Sequence, residues 1–87
     1  MDEEKLKEEL EKWEREIALD PENAKAYFQR GNVLSALGRK EEALESYDKA
    51  LKIKPDNDAA YFNRGIVLNA LGRKEEALES YDKALKI

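Results

Sequence analysis

Neither cysteine nor histidine occurs among the 87 residues. Their absence removes disulfides, thiolate nucleophiles, the usual zinc ligand sets and every catalytic triad built on imidazole. Proline occurs twice and glycine four times, and the apolar residues are spaced rather than run together. A membrane helix needs about 20 consecutive apolar residues, so no span is expected, and the regular spacing argues against disorder. No excess of basic charge is present either. The net charge of −4 lies wholly in residues 1–19, with eight acids and four bases, while residues 20–87 hold twelve of each. Without a basic stripe, binding to nucleic-acid phosphate is not expected. The polar N-terminus shows no signal peptide or lipidation motif, which makes a cytoplasmic setting the default. What remains is one soluble all-α domain, short enough to bury only about 60–70% of the surface its unfolded chain exposes.

What the chain does have is a repeat. The string from Gly38 to Ile53 returns unchanged at Gly72 to Ile87, thirty-four residues later. A fixed period of this size means that each unit is one supersecondary element, unable to bury its apolar face alone and obliged to stack on a neighbour. Asp20-Pro21 and Lys54-Pro55 mark equivalent boundaries, because proline cannot continue a helix and disfavours the helical region for the residue before it. The chain divides into a leading segment (2–19), a first repeat (20–53) and a second (54–87).

In the leading segment Leu6, Leu10, Trp13 and Ile17 recur at steps of four and three, with Glu3/Lys7, Glu8/Lys12 and Glu11/Arg15 as i,i+4 pairs around them; this is an amphipathic helix with a narrow apolar stripe. Within the repeats the pattern predicts helices over 24–37, 40–53, 58–71 and 74–87, broken at Gly38 and Gly72, where glycine admits the left-handed conformation that ends a helix. Glu41 and Glu42 in a first turn and Lys49 and Lys52 in a last turn complement the helix dipole. Tyr27, Leu34, Leu37, Leu44, Tyr47, Leu51 and Ile53 are the predicted core of the first repeat. Gly31 and Gly65 fall inside helices at a cost of about 1 kcal/mol relative to alanine, which close approach of a partner helix at Ala43 and Ala77 would offset.

Tyr27-x-x-Arg30-Gly31-x-x-Leu34, followed by Ala43-x-x-x-Tyr47, Ala50 and Pro55, resembles the tetratricopeptide repeat pattern. The second copy supplies Tyr61, Arg64, Gly65, Leu68, Ala77, Tyr81 and Ala84. Tyrosine replaces the pattern's tryptophan, Arg30 and Arg64 replace its leucine, and Leu34 and Leu68 its tyrosine; each arginine is expected to lay its stem on the core and lead its charge to water. The resemblance implies a right-handed α-solenoid of antiparallel helix pairs, five helices in all; no catalytic activity and no cofactor are expected, because the acids, lysines and tyrosines are accounted for by helix surfaces and core and no phosphate-binding loop occurs. In this register Trp13 matches Tyr47, so the leading helix looks like half a repeat, and Glu9 and Glu16 in place of Ala43 and Ala50 suit a polar N-terminal cap.

The two copies agree at 27 of 34 positions. Three differences surround the turn; the other four, Lys25/Ala59, Gln29/Asn63, Asn32/Ile66 and Ser35/Asn69, share one face of the first helix. Exposed positions of the second helix, such as Glu45, Asp48 and Lys52, do not vary. In tetratricopeptide proteins the first helices line a concave groove for partner peptides, so the resemblance implies a protein or peptide ligand over Lys25, Phe28, Gln29, Asn32, Ser35, Phe62, Asn63, Ile66 and Asn69. Some relatives clamp a terminal carboxylate from three repeats, but only Asn32 and Asn63 match such a set here, and that specificity is not carried over. On this reading, changing Asn32 and Asn63 alters binding without affecting folding. A second reading follows from the C-terminal hairpin, where no further repeat covers Leu68, Leu78, Tyr81, Leu85 and Ile87: a structural or engineered module that forms a homodimer through this face and has no natural ligand. The unchanged duplication and the Lys- and Glu-rich first helix fit either a recently duplicated array or an engineered sequence.

Overall fold

Capping side chains and glycines decide where each helix stops. A computed structural model describes residues 2–86 as five helices: α1 (Glu3–Leu19), α2 (Ala24–Ala36), α3 (Lys40–Ile53), α4 (Asp58–Ala70) and α5 (Lys74–Lys86). Asp2 caps α1 by accepting from the Glu4 amide, and Asn23 and Asn57 cap α2 and α4 by accepting from Ala26 and Ala60, each satisfying a backbone donor that a helix start leaves open. Gly38 and Gly72 take φ of 81° and 80°, and the following amides of Arg39 and Arg73 return to the carbonyls of Leu34 and Leu68 at 2.9 Å. These are the left-handed stops that the sequence predicts. The helix beginning at Lys40 has no side-chain cap; instead Arg39 grips Glu42 through two bonds of 2.7 and 2.8 Å, a pair repeated by Arg73 and Glu76.

Each helix packs on the next in chain order, and α2 also touches α4. With connections of three or four residues, successive neighbours run antiparallel. The body measures 32 × 26 × 17 Å. Its core joins Leu6 and Leu10 of α1 to Val33, Leu34, Ala43, Leu44, Tyr47, Val67, Leu68 and Ala77. Tyr27, Leu37 and Ile53, expected inside, are only half-buried; Leu37 still packs against the core, while the Tyr27 ring lies beneath the Lys49 ammonium, 6.0 Å away. Val33 and Val67, not expected in the core, are buried; each lies three residues after Arg30 or Arg64 and so on the face turned towards the preceding helix.

The two mid-helix glycines have a different cause from the one their pattern suggests. A Cβ at Gly31 would stand 2.6 Å from Cε1 of Tyr47, and one at Gly65 2.6 Å from Cε1 of Tyr81. The close approach is made by the tyrosine ring of the following helix rather than by Ala43 or Ala77. Tyr47 is the largest fully buried side chain, and a ring held on both sides has no room to retreat. Gly31→Ala is therefore expected to destabilise the fold by about 1–3 kcal/mol in urea unfolding, although helix propensity alone predicts a gain of about 1 kcal/mol. Tyr47→Leu should remove much of the penalty of a second change at residue 31; simple additivity of the two would show that the ring is not the cause.

Candidate functional site

Two rows of residues on α2 and α4 face in different directions. Gly31 and Gly65 meet the tyrosines of α3 and α5, while Arg30 and Arg64 reach backwards to the preceding helix. The Arg30 guanidinium bonds Glu14 of α1 at 3.1 and 3.2 Å and Ser46 at 2.7 Å; Arg64 bonds Asp48 of α3 at 2.6 Å. The arginine stems cover the core and the heads pair in a half-exposed setting, where each pair contributes about 0.2–1 kcal/mol. The third face of α2 and α4 carries the positions that differ between the copies.

There the structure brings Asn32, Ser35, Asn63 and Ile66 together with Ala36 and Tyr47 around a cleft of about 270 Å³. The sequence reading missed Tyr47 as a contributor. The buried hydroxyl of an aromatic needs a partner, and this one donates to Asn32 Oδ1 at 2.6 Å. Asn63 Nδ2 donates to the same oxygen at 3.0 Å. Asn32 is thus a structural bridge between α2, α3 and α4 as well as a groove residue. At the equivalent place in the second copy stands Ile66, which can offer Tyr81 no such bond.

The remaining predicted groove residues are dispersed. Gln29 accepts weakly from Asn32 at 3.5 Å, Phe28 is half-buried with its ring 6.2 Å from that of Tyr47, and Lys25 and Asn69 are exposed outside the cleft. Phe62 belongs to a second, larger and apolar cleft of about 540 Å³, with Asp58, Ala59, Tyr81, Ala84 and Leu85. Of the residues predicted for the C-terminal face, Leu78 and Leu85 are exposed and Tyr81 is half-buried, whereas Leu68 is fully buried in the core by its position facing α5. Ile87 lies outside the described residues.

A stack of helical hairpins on a thirty-four-residue period, each covered by the first helix of the next, is an α-solenoid. Family models described as TPR repeat and tetratricopeptide repeat match residues 31–72, 59–87 and 13–45. The chain is a tetratricopeptide repeat protein. Among solved structures, MamA is similar over 88% of this chain at 34% identity and a TM-score of 0.86, although the chain spans only 45% of MamA. The second tetratricopeptide domain of Spaghetti (RPAP3), bound to an HSP90 peptide SRMEEVD, is similar over 93% of this chain and 75% of its own length, with 26% identity and a TM-score of 0.90. No curated protein sequence matches the chain significantly.

Burial pushes the Tyr47 phenol up from 10.0 to about 12. A folded-state pKa above the unfolded one means that stability is intact below pH 10 and falls as pH rises towards 12. Spectrophotometric titration at 295 nm should therefore show one tyrosine ionising together with alkaline unfolding, and Tyr47→Phe should remove that alkaline loss. Asn32→Ala is expected to cost about 1–3 kcal/mol by stranding the buried hydroxyl, and Asn63→Ala clearly less; equal costs in urea unfolding would contradict the bridge. The expectation that Asn32 can be changed without affecting folding is replaced by this one.

Proposed function

We propose that the chain is a protein-interaction scaffold that binds an extended peptide across α2 and α4, with an apolar ligand side chain lodged beside Ile66. The observation that carries this reading is the cleft itself. It lies where three of the seven differences between the copies fall, at Asn32/Ile66, Ser35/Asn69 and Gln29/Asn63, while the second helix of each repeat is held constant. Ile66 is 46% exposed and Phe62, one turn earlier, 52%, so α4 presents an apolar pair that a ligand could cover. The peptide on the RPAP3 domain supports a peptide ligand for this architecture.

The chemistry of the cleft restricts the ligand. Asn32 Oδ1 already accepts two bonds, which leaves the carbonyl oxygen of Asn63 as an acceptor for a peptide N–H. Among the described residues no lysine or arginine lines the cleft, and the nearby Lys40 ammonium is engaged by the Ser35 carbonyl at 3.3 Å, so a terminal carboxylate has no free cation in the cleft itself. The ligand is then an internal, extended, apolar segment recognised by one side chain and its backbone, rather than an acidic C-terminus.

Fluorescence anisotropy against a library of labelled ten-residue peptides tests this. Ligands selected for the chain should lose binding at least about tenfold with Ile66→Asp, with folding unchanged by circular dichroism, and amidation of the peptide C-terminus should leave affinity unaltered. Ligands indifferent to Ile66→Asp, or lost on amidation, would place recognition elsewhere.

A further inference from the structure

The two asparagines of the α2–α4 cleft do not choose their own orientation. A primary amide carries an acceptor and a donor of nearly equal size, so Asn32 and Asn63 fit the same space in either of two orders. In the first, Asn32 turns its oxygen inward, accepts from Tyr47 and Asn63 together, and leaves the Asn63 oxygen facing the cleft. In the second, Asn32 turns its amino group inward and donates to both, and Asn63 shows an N–H to the cleft instead. The two orders make opposite demands on a ligand, and a third group has to decide between them.

That group is Tyr47. The residue is 1% exposed, and among the described residues its hydroxyl has one hydrogen-bond partner, Asn32. In the second order the hydroxyl would accept, and its own proton would point into a packed interior without an acceptor, which costs more than an ordinary hydrogen bond returns. The first order satisfies every member. Tyr47 donates to Asn32 Oδ1 at 2.6 Å, Asn63 Nδ2 donates to the same oxygen at 3.0 Å, and Asn32 Nδ2 is turned towards Gln29 Oε1, 3.5 Å away. The second copy repeats the tyrosine as Tyr81 but has Ile66 where Asn32 stands, so the relay is built once.

We infer that Tyr47 sets the hydrogen-bond polarity of the cleft: by donating to Asn32 it fixes Asn63 as an acceptor, so that the site takes a segment with a backbone N–H beside Ile66 and refuses one without it, a discrimination that rests on the peptide reading of this cleft. Apolar contact with Ile66 cannot make this choice. A proline-rich segment is extended and apolar and would suit the isoleucine as well as any other, but proline has no N–H to offer. It would cover the Asn63 oxygen, take away its water and return no bond. Tyr47 acts here through two amides, as a positioning residue, and the class of ligand it selects is an extended apolar segment free of proline at the residue that meets Asn63.

Two experiments test this. Neutron diffraction from crystals of the deuterated full chain reads the amides directly: the Tyr47 hydroxyl deuterium and one Asn63 amino deuterium should both point at Asn32 Oδ1. An Asn32 amino group turned to Tyr47 would overturn the inference and leave the peptide reading untouched. The second probe is the peptide acetyl-Gly-Ser-Leu-Ser-Gly-amide, whose single apolar side chain sets its register, titrated into the ¹⁵N-labelled chain alongside three versions N-methylated at each central residue in turn. Shifts should centre on Ile66 and Asn63, and N-methylation at one position should weaken binding about two- to tenfold, the worth of one hydrogen bond. In Tyr47→Phe, where Asn32 is free to turn, that loss should shrink towards none, a change of selectivity that general loosening of the fold would not produce. No loss at any position in wild type, or the same loss in Tyr47→Phe, would overturn the inference. Shifts that miss Ile66 altogether would remove the peptide cleft and the discrimination with it.

Discussion

The contact between Gly31 and the Tyr47 ring, and its twin between Gly65 and Tyr81, fixes how closely the two helices of each hairpin approach. The ring lies over the backbone of α2, so an aromatic plate against a bare segment of helix joins the buried side chains of Leu34, Ala43 and Leu44 in holding the hairpin. Once that distance is set, Leu34 and Leu68 are sealed beneath. The hydroxyl of Tyr47 reaches the α2–α4 cleft, where it donates to Asn32. The bridge from Asn32 to Asn63 then ties one hairpin to the next. Packing inside a unit and the register between units thus share one aromatic side chain.

Between units the chain relies on a different device. Small buried residues, Ala26 and Ala60, let the helices come close, and an arginine from the incoming helix meets a carboxylate of the helix already in place. A half-exposed ion pair adds little stability, but it sets position along the helix axis, since a slip of one turn would leave the guanidinium over the wrong side chain. The leading helix takes part on the same terms, with Glu14 in the role of Asp48, although its outer surface is charged. A soluble edge and a stacking edge can therefore be made from helices of one register by changing only the residues that face away from the core.

Identical sequence does not mean identical environment in such an array. Ser46 accepts from Arg30, whereas Ser80, its counterpart, donates to the carbonyl of Tyr61. Leu51 and Leu85 are the same residue in the same helix position, one covered and one open. In a stack each surface is defined by its neighbour, and two copies of one string acquire different surfaces by their place in the order.

The sequence by itself determined the period, the five helices and the left-handed stops at Gly38 and Gly72, because these follow from local chemistry: turn residues, helix-ending glycines and apolar spacing. It also pointed to the face of the first helices, through the few positions at which two copies differ. The tertiary structure alone decided that Gly31 answers to Tyr47 rather than Ala43, that Asn32 serves the fold as well as the cleft, that Tyr27 rests under Lys49 while Val33 enters the core, and that Leu68 is interior while Leu85 is open. Those outcomes depend on which helix faces which and at what distance. A periodic pattern gives the direction of a side chain around its own helix axis; what it meets there is fixed by the neighbour.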